Sequence, residues 1–316
     1  MAAGRRNLLL CFDAFGTLFS PKGTVVQQYA RVARQCGIAD FSEDQLSTHL
    51  AAALSRERTL NPNYGKATGL GATQWWTKVI HDTFTPLLRK QQPFPPALVP
   101  ALLRRFASDE GYDAQPDLVP ALRALRHPES QHAFDEVVIG VVTNSDDRVP
   151  SILSSMGLHV SPLRYSANDN YNAQTNDYQH RRGDTYDVDF HCMSYDVGYE
   201  KPDTRIFQAA ESMLAGILAA REGRKVTMES QLPQGWYKVF VGDEHAKDVV
   251  GSANAGWHPI LLGADAQASA VASLEDCPPG HSLADVFRLH PVVRVPSIRS
   301  LALWLSRPQW TSHEES

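Results

Sequence analysis

The amino-acid sequence predicts an α/β fold: a doubly wound parallel sheet with an inserted helical cap. Short apolar runs rich in β-branched residues are typical of buried parallel strands. Amphipathic stretches lie between these runs, so that strand and helix alternate along the chain. After the first run, however, several helical stretches follow one another without a strand, which indicates an insertion into the sheet domain.

The predicted strands are short and bounded by turn residues. They are LLLCF at 8–12, EVVIGVVT at 136–143, YKVFVG at 237–242 and HPILLG at 258–263. Helices of the same domain are predicted from VPSILSSMGL at 149–158 and TRIFQAAESMLAGILAA at 204–220. The stretch VVRVPSIRSLALWL at 292–305 predicts a last short strand and a closing helix.

The segment after the first strand is mostly helical. Its amphipathic stretches are VVQQYARVARQCG at 25–37, EDQLSTHLAAALSRER at 43–58, ATQWWTKVIHDTF at 72–84 and LVPALLRRFASD at 98–109. We therefore predict a helical cap over residues 21–112. The α/β core is then formed by residues 1–20 and 113–310.

A polar segment interrupts the predicted core at residues 164–191. It is rich in Asn, Asp, Tyr and Gln and has almost no aliphatic residues. This composition is typical of a mobile surface insertion, and we expect a solvated loop. The same segment is the candidate surface for a protein partner.

Composition excludes several classes of function. The 316 residues are 43% hydrophobic and 21% charged, which is enough to bury a full core. The net charge of -5 comes without basic runs, so neither a nucleic acid nor a membrane is an expected partner. No apolar stretch approaches the ~20 residues that span a bilayer, and the opening MAAGRRN leaves little room for a leader before the first strand. We expect a small-molecule substrate and a cytoplasmic location, with the nucleus and the mitochondrion as alternatives.

Polar side chains follow three of the predicted strands. They are Asp13, the run Thr143-Asn144-Ser145-Asp146, and Asp243 with Asp248. Each aspartate alone is more typical of a turn cap than of a catalyst. Because ligands bind beyond the carboxyl ends of parallel strands, their occurrence together favours a site, which Lys201 could also enter.

Four stretches in this order resemble the motifs of the haloacid dehalogenase (HAD) superfamily. They are FDAFGTLF at 12–19, VVTNSD at 141–146, EKPDTRIF at 200–207 and VFVGDEHAKD at 239–248. The resemblance implies a Rossmann-like core with a cap between the first two motifs. NPNYG at 61–65 and TQWW at 73–76 resemble the cap of the HAD-like hydrolase domain-containing subfamily and its fungal relatives. Packing within the cap is the favoured role of their aromatic side chains.

The resemblance implies the following catalytic roles. Asp13 is the nucleophile and forms a covalent aspartyl intermediate that water cleaves. Thr143 and Asn144 hydrogen-bond the transferred group. Lys201 keeps Asp13 ionised and offsets negative charge that builds up on the substrate.

The resemblance also implies a metal site. Asp13, Asp243 and Asp248 would hold a hard cation through carboxylate oxygens, and Mg²⁺ is the expected ion. A cation there suppresses the repulsion between a carboxylate and a phosphate.

Phe15 departs from the motif of the family's phosphatases, which carry a second aspartate at this place as general acid. Such a group typically contributes ~10²- to 10⁴-fold in rate. The halide-releasing branch resembles this chain more closely here, because a halide leaves without a proton. Phe15, Gly16 and Thr17 are expected to contact the substrate, together with Arg56 or Arg58 from the cap.

Three hypotheses follow, in this order. The first is a Mg²⁺-dependent hydrolase of a small phosphorylated metabolite whose leaving group is already acidic, or one that borrows an acid from Glu244, His245 or the cap. The second is a 2-haloacid dehalogenase that uses Asp13 without metal. The third is a catalytically impaired binding or assembly protein. The opening GDEHAKD of the fourth motif is typical of metal-dependent members and favours the first.

Overall fold

The computed structural model describes residues 7–126, 134–166, 186–223, 235–263, 271–278 and 280–307. The chain divides into two compact units. The α/β unit comprises Met1–Phe19, Ala114–Asn144 and Gly157–Ser316, and the helical unit comprises Ser20–Asp113 and Ser145–Met156.

The strands form two sheets. In chain order they are β1 (Asn7–Phe12), β2 (Phe19–Pro21), β3 (Tyr112–Ala114), β4 (Glu136–Thr143), β5 (Phe190–Met193), β6 (Trp236–Gly242), β7 (His258–Leu262) and β8 (Val293–Val295). Six of them make a parallel sheet in the order β5-β4-β1-β6-β7-β8, while β2 pairs with β3. The chain thus fills one side of β1 first and then the other, so the strand order reverses at β1. Ligands of open α/β sheets bind at such a switch point.

The helices connect these strands or make up the helical unit. In chain order they are α1 (Val25–Gln35), α2 (Glu43–Leu60), α3 (Pro62–Gly65), α4 (Ala72–Phe84), α5 (Leu98–Arg105), α6 (Leu118–Ala124), α7 (Val149–Ser155), α8 (Ser194–Val197), α9 (Thr204–Arg221), α10 (Val250–Asn254), α11 (Leu283–Leu289) and α12 (Ile298–Leu305). Short 3₁₀ helices occur at Thr85–Leu87 and Leu274–Asp276, and a π-helical turn at His245–Val249. None of the helices in the described residues is long and apolar enough to cross a bilayer.

The core of the α/β unit lies between the central strands and α9. Leu9 and Cys11 of β1 are fully buried and belong to the same cluster as Phe240 of β6. Ile206 and Phe207 of α9 close this cluster from one face of the sheet. Because parallel strands are buried on both faces, β1 reads as a continuous apolar run rather than as an alternating one.

The sequence-based prediction of the α/β fold with helices inserted after β1 is confirmed. Strand β4 has the predicted bounds, and the other predicted strands agree to within one residue. The predicted helices of the inserted segment are α1, α2, α4 and α5, although α5 ends at Arg105 rather than near residue 109.

The prediction of a polar insertion up to residue 191 is wrong at its end. Phe190 and His191 belong to β5 and are buried, as are Asp187 and Asp189 just before them. Both aspartates form ion pairs with arginines of the segment around α6, Asp187 with Arg123 at 3.1 Å. Paired charges explain why a stretch of polar composition is nevertheless buried. Residues 167–185 of the predicted insertion lie outside the described residues.

The α7 segment also differs from its prediction, because it belongs to the helical unit and not to the α/β core. The backbone N–H of Asp109 donates to Ser155 Oγ at 2.7 Å. Arg148 Nη1 donates to the carbonyl of Phe106 at 3.4 Å. The helical unit therefore consists of Ser20–Asp113 together with Ser145–Met156, whereas the sequence predicted residues 21–112 alone.

An aromatic cluster lies inside the helical unit. The Tyr64 and Trp75 ring centroids are 5.2 Å apart and those of Trp75 and Trp76 are 4.9 Å apart. Trp75 is only 3% exposed, and its indole N–H donates to the carbonyl of Asn61 at 3.0 Å. These aromatic side chains pack within the helical unit, as the sequence indicated.

Trp76 takes part in a buried ion pair that the sequence did not reveal. Its indole N–H donates to Asp146 Oδ2 at 2.7 Å. Arg148 donates to both carboxylate oxygens of Asp146, at 2.7 and 2.9 Å, and its guanidinium lies 4.5 Å from the Trp76 ring centroid. Asp146 is fully buried, so its charge is balanced by these donors and not by water.

Candidate functional site

The three central strands β1, β4 and β6 end within two residues of one another in register. Phe12, the last residue of β1, is in register with Val141 of β4 and Val241 of β6. The backbone N–H of the next residue, Asp13, donates to the carbonyl of Val241 at 2.9 Å. Residues that directly follow these strands therefore converge at the switch point.

Lys201 lies between two of the converging carboxylates. Its Nζ is 2.9 Å from Asp13 Oδ1 and donates to Asp248 Oδ1 at 2.7 Å. Lys201 is only 3% exposed, and its ammonium group lies 4.9 Å from the Phe240 ring centroid. Although burial alone would lower it, the pKa of Lys201 is raised by these carboxylates, so the side chain is a cation at neutral pH.

Three carboxylates come together at this point. Oxygens of Asp13, Asp243 and Asp248 lie within 4.8 Å of one another. Asp13 Oδ1 is buried and accepts no well-aligned hydrogen bond, since its contact with Lys201 is an ion pair of poor hydrogen-bond geometry. Lys201 pairs with two of these three carboxylates, Asp13 and Asp248. An all-oxygen set with excess negative charge and a buried, unsatisfied oxygen fits Mg²⁺, a hard divalent cation.

Two glycines give these carboxylates their space. A Cβ on Gly16 would lie 2.2 Å from Asp243 Oδ2, and one on Gly242 would lie 2.3 Å from Asp248 Oδ2. Gly16 also has a φ of 84°, which favours glycine. Neither position accepts a side chain while the carboxylate keeps its place.

Asp243 is held by the turn that follows β1. Thr17 is fully buried and donates its hydroxyl to Asp243 Oδ1 at 2.8 Å. Although the residue is exposed, its carboxyl is partly enclosed, and this loss of hydration raises its pKa, to which the negative charge of Asp13 adds. Thr17 thus orients a carboxylate, and its expected contact with the substrate stays a prediction.

Asp248 is fixed by the turn on which it lies. Its Oδ2 accepts the backbone N–H of Glu244 at 2.9 Å, and its own N–H donates to the Glu244 carbonyl at 2.8 Å. These contacts lie at the start of the π-helical turn His245–Val249, which the Val250 N–H closes by donating to the His245 carbonyl. Burial raises the pKa of Asp248 to about 6, against the opposing effect of Lys201 and with the help of Asp13.

Asn144 positions Lys201. Its Nδ2 donates to the Lys201 carbonyl at 3.0 Å, and its Oδ1 accepts the Lys201 N–H at 2.7 Å. Thr143, 1% exposed, is the last residue of β4. The helix after Lys201 begins at Thr204, as predicted, and Asp203 caps it by accepting the N–H of Arg205.

The remaining predicted contacts with the substrate are distributed over both units. Phe15 is half-buried and packs edge-to-face on Phe19, with ring centroids 4.8 Å apart. Arg56 and Arg58 belong to α2 of the helical unit and are exposed. Arg56 pairs with Asp82 at 3.1 Å. Their contact with a substrate stays a prediction.

Two features of the site could not be predicted from local sequence patterns alone. Gly242 was not recognised as a requirement for Asp248, although a glycine directly before the acidic motif is visible in VFVGDE. Asn144 was expected to bind the transferred group, and its contact with the Lys201 backbone joins residues 57 apart in the chain, which no local pattern shows.

The chain is similar to several known proteins. It is 29% identical over 261 residues to the "Uncharacterized protein YMR130W" of Saccharomyces cerevisiae, covering 81% of this chain and 72% of the yeast protein. It is 26% identical over 281 residues to "Haloacid dehalogenase-like hydrolase domain-containing protein 3" of Danio rerio, covering 88% and 93%. A solved structure, the "Defluorinating L-2-Haloacid Dehalogenase Rha0230", aligns with a TM-score of 0.48 at 14% identity, covering 95% of each chain. The model of the haloacid dehalogenase-like hydrolase family matches residues 8–228, and the chain belongs to this family.

Proposed function

We propose that the protein is a Mg²⁺-dependent hydrolase of a small phosphorylated metabolite and that Asp13 is its nucleophile. The observation that carries this proposal is the excess of negative charge at the switch point, where three carboxylates lie together and Lys201 pairs with two of them. Without a cation, these charges would repel any anionic substrate.

Asp13, Asp243 and Asp248 would hold the metal ion. When bound, Mg²⁺ supplies positive charge that offsets the repulsion between a carboxylate nucleophile and a phosphoryl group. Thr17 and the two glycines at 16 and 242 keep the carboxylates in place.

The chain's own residues would then carry out two displacements. An oxygen of Asp13 attacks phosphorus, and the bond to the leaving oxygen breaks, which gives an aspartyl phosphate. Water next attacks phosphorus and releases inorganic phosphate and the free carboxylate. The Lys201 ammonium, 2.9 Å from Asp13 Oδ1, balances the charge of the attacking carboxylate and the negative charge that develops in each displacement. Asn144 supports this step by holding the Lys201 backbone.

A second candidate is a metal-free 2-haloacid dehalogenase, which Phe15 favours because a halide needs no proton to leave. Asp13 would displace the halide, and water would cleave the resulting ester. The cluster of carboxylates argues against this candidate, since a haloacid anion would meet uncompensated negative charge.

A panel of phosphate esters, acyl phosphates and 2-haloacids, with and without Mg²⁺, tests the proposal. We expect phosphate release that requires Mg²⁺ and disappears in Asp13→Asn. The matched control is Asp276→Asn, which changes an exposed carboxylate elsewhere in the α/β unit and should retain activity. Chloride release without metal would favour the dehalogenase. If the wild type is inactive on every compound, the proposal fails and a binding or assembly role takes its place.

A further inference from the structure

The turn that carries the nucleophile presents a side chain without an acidic proton. Leu18 N donates to the Ala14 carbonyl at 2.8 Å, and Gly16 N donates to the Phe19 carbonyl at 2.8 Å. Ala14, Leu18 and Phe19 are buried, whereas Phe15 is half-buried. Phe15, two residues after Asp13, is therefore the partly exposed large side chain of this turn.

Three polar groups next to the nucleophile already donate hydrogen bonds. In the described part of the α/β unit, the Thr17 hydroxyl donates to Asp243, and Asn144 donates to the Lys201 carbonyl. Lys201 itself donates to Asp248 and forms an ion pair with Asp13. A proton taken from any of these groups would break a contact that holds the site together.

Two further titratable side chains lie on the neighbouring turn, but neither is held in place as an acid. The Glu244 side chain is exposed, and its carboxylate accepts from Lys247 Nζ at 2.9 Å. His245 is exposed. Efficient general acid catalysis needs a donor held within hydrogen-bond reach of the leaving oxygen.

We propose that the leaving group departs as an anion that takes no proton from the α/β unit, so that the substrates are acyl, enol or aryl phosphates rather than alkyl phosphates. This inference rests on the proposed function. An alkoxide is a poor leaving group, whereas carboxylates, enolates and phenolates are stable enough to depart unprotonated. The half-buried Phe15 ring also suits a flat, partly apolar leaving group better than it suits a hydrated sugar or polyol.

The reaction balances without an acid. Asp13 attacks phosphorus, and the oxygen of the leaving group takes both electrons of the P–O bond as it departs. Water then cleaves the aspartyl phosphate and supplies the oxygen of the released phosphate. The proton that this water loses passes to the phosphate product or to solvent.

The test is the dependence of kcat/KM on the leaving group, measured with Mg²⁺ on acetyl phosphate, 4-nitrophenyl phosphate, phenyl phosphate and glycerol 3-phosphate. For the wild type we expect a fall of at least ~10²-fold between 4-nitrophenyl phosphate and glycerol 3-phosphate, the usual contribution of a missing acid. Phe15→Asp should reduce this fall, and the matched control Phe15→Leu should keep it. An acid-quenched sample should carry a phosphoryl group on Asp13 with acetyl phosphate.

Similar rates for activated and alkyl phosphates in the wild type would overturn the inference while leaving the proposed function intact. In that case, a variant in which kcat/KM depends steeply on the leaving group, Glu244→Gln or His245→Gln, would identify the acid. If no phosphate is cleaved with Mg²⁺, the proposed function fails and the inference fails with it. Because the wild-type series decides alone, poor folding of Phe15→Asp does not affect the test.

Discussion

Replacing Gly16 by alanine has two expected effects on the turn after β1. It strains the backbone, and it removes the space that Asp243 occupies. Gly16 has a φ of 84°, and a Cβ there would lie 2.2 Å from Asp243 Oδ2. Gly157 has a φ of 91° and nothing within 4 Å of its Cβ position. Gly157→Ala is therefore a matched control that carries the backbone strain without the collision.

The size of the effect follows from these contacts. A left-handed conformation costs a non-glycine residue about 1–2 kcal/mol, and both variants should lose this much free energy of unfolding. In Gly16→Ala the Asp243 carboxylate must also move, which breaks its hydrogen bond from Thr17. A hydrogen bond to a charged group contributes about 1.5–3 kcal/mol, at the low end for a carboxylate as exposed as this one. Gly16→Ala should thus be the more destabilised of the two, by at least about 1 kcal/mol.

Urea denaturation gives the two stabilities, and calorimetric titration with Mg²⁺ gives the affinity of the site. We expect Gly16→Ala to bind Mg²⁺ more weakly than the wild type because one ligand is displaced, and Gly157→Ala to bind it unchanged. If the two variants lose the same stability and Mg²⁺ affinity is retained in both, the placement of Asp243 beside Gly16 is refuted.

Three further changes test other parts of the structure. Lys201→Met leaves two buried carboxylates without their cation and should cost about 3–5 kcal/mol in urea denaturation; Mg²⁺ should then stabilise the variant more than the wild type. Burial lowers the pKa of His191 from 6.5 to about 4, so between these values the unfolded chain binds a proton that the folded chain does not. The free energy of unfolding should therefore fall by about 3 kcal/mol from pH 7 to pH 4. In His191→Gln this fall should be smaller. Trp76→Phe removes a hydrogen bond to a buried carboxylate and should cost about 1.5–3 kcal/mol, against about 0.5–1.5 for Trp75→Phe, which loses a bond to a neutral carbonyl.

Each of these expectations has a contradicting result. Equal stabilisation of Lys201→Met and wild type by Mg²⁺ would mean that the metal does not approach the same carboxylates. An identical pH dependence in His191→Gln would place the sensitive group elsewhere. Equal losses in Trp76→Phe and Trp75→Phe would show that the charge of Asp146 does not strengthen its hydrogen bond.

Much of the fold could be predicted because its signal is local. Six of the eight residues of EVVIGVVT are β-branched, polar residues lie on both sides of it, and it gives β4 its bounds without reference to other segments. FHCM of β5 has no such run, and polar residues precede it. Its burial depends on the partner strand β4 and on the arginines that pair with Asp187 and Asp189, all distant in sequence.

In the site, too, some features have a local signal in the sequence and others depend on distant residues. The convergence of Asp13, Asp243, Asp248 and Lys201 follows from their places after parallel strands, because such strands end at one edge of the sheet. The contact between Trp76 and Asp146 joins residues 70 apart and depends on the packing of α7 in the helical unit. Local composition carries no information about such a pair.

The most direct test of the central claim is to look for the covalent intermediate on Asp13. The wild type is mixed with 4-nitrophenyl phosphate and Mg²⁺, quenched in acid within a turnover, digested and analysed by mass spectrometry. The account predicts one phosphoryl group on the peptide that contains Asp13, and none when Mg²⁺ is withheld. Release of 4-nitrophenol with Asp13 unmodified, or with the phosphoryl group on another residue, would contradict it.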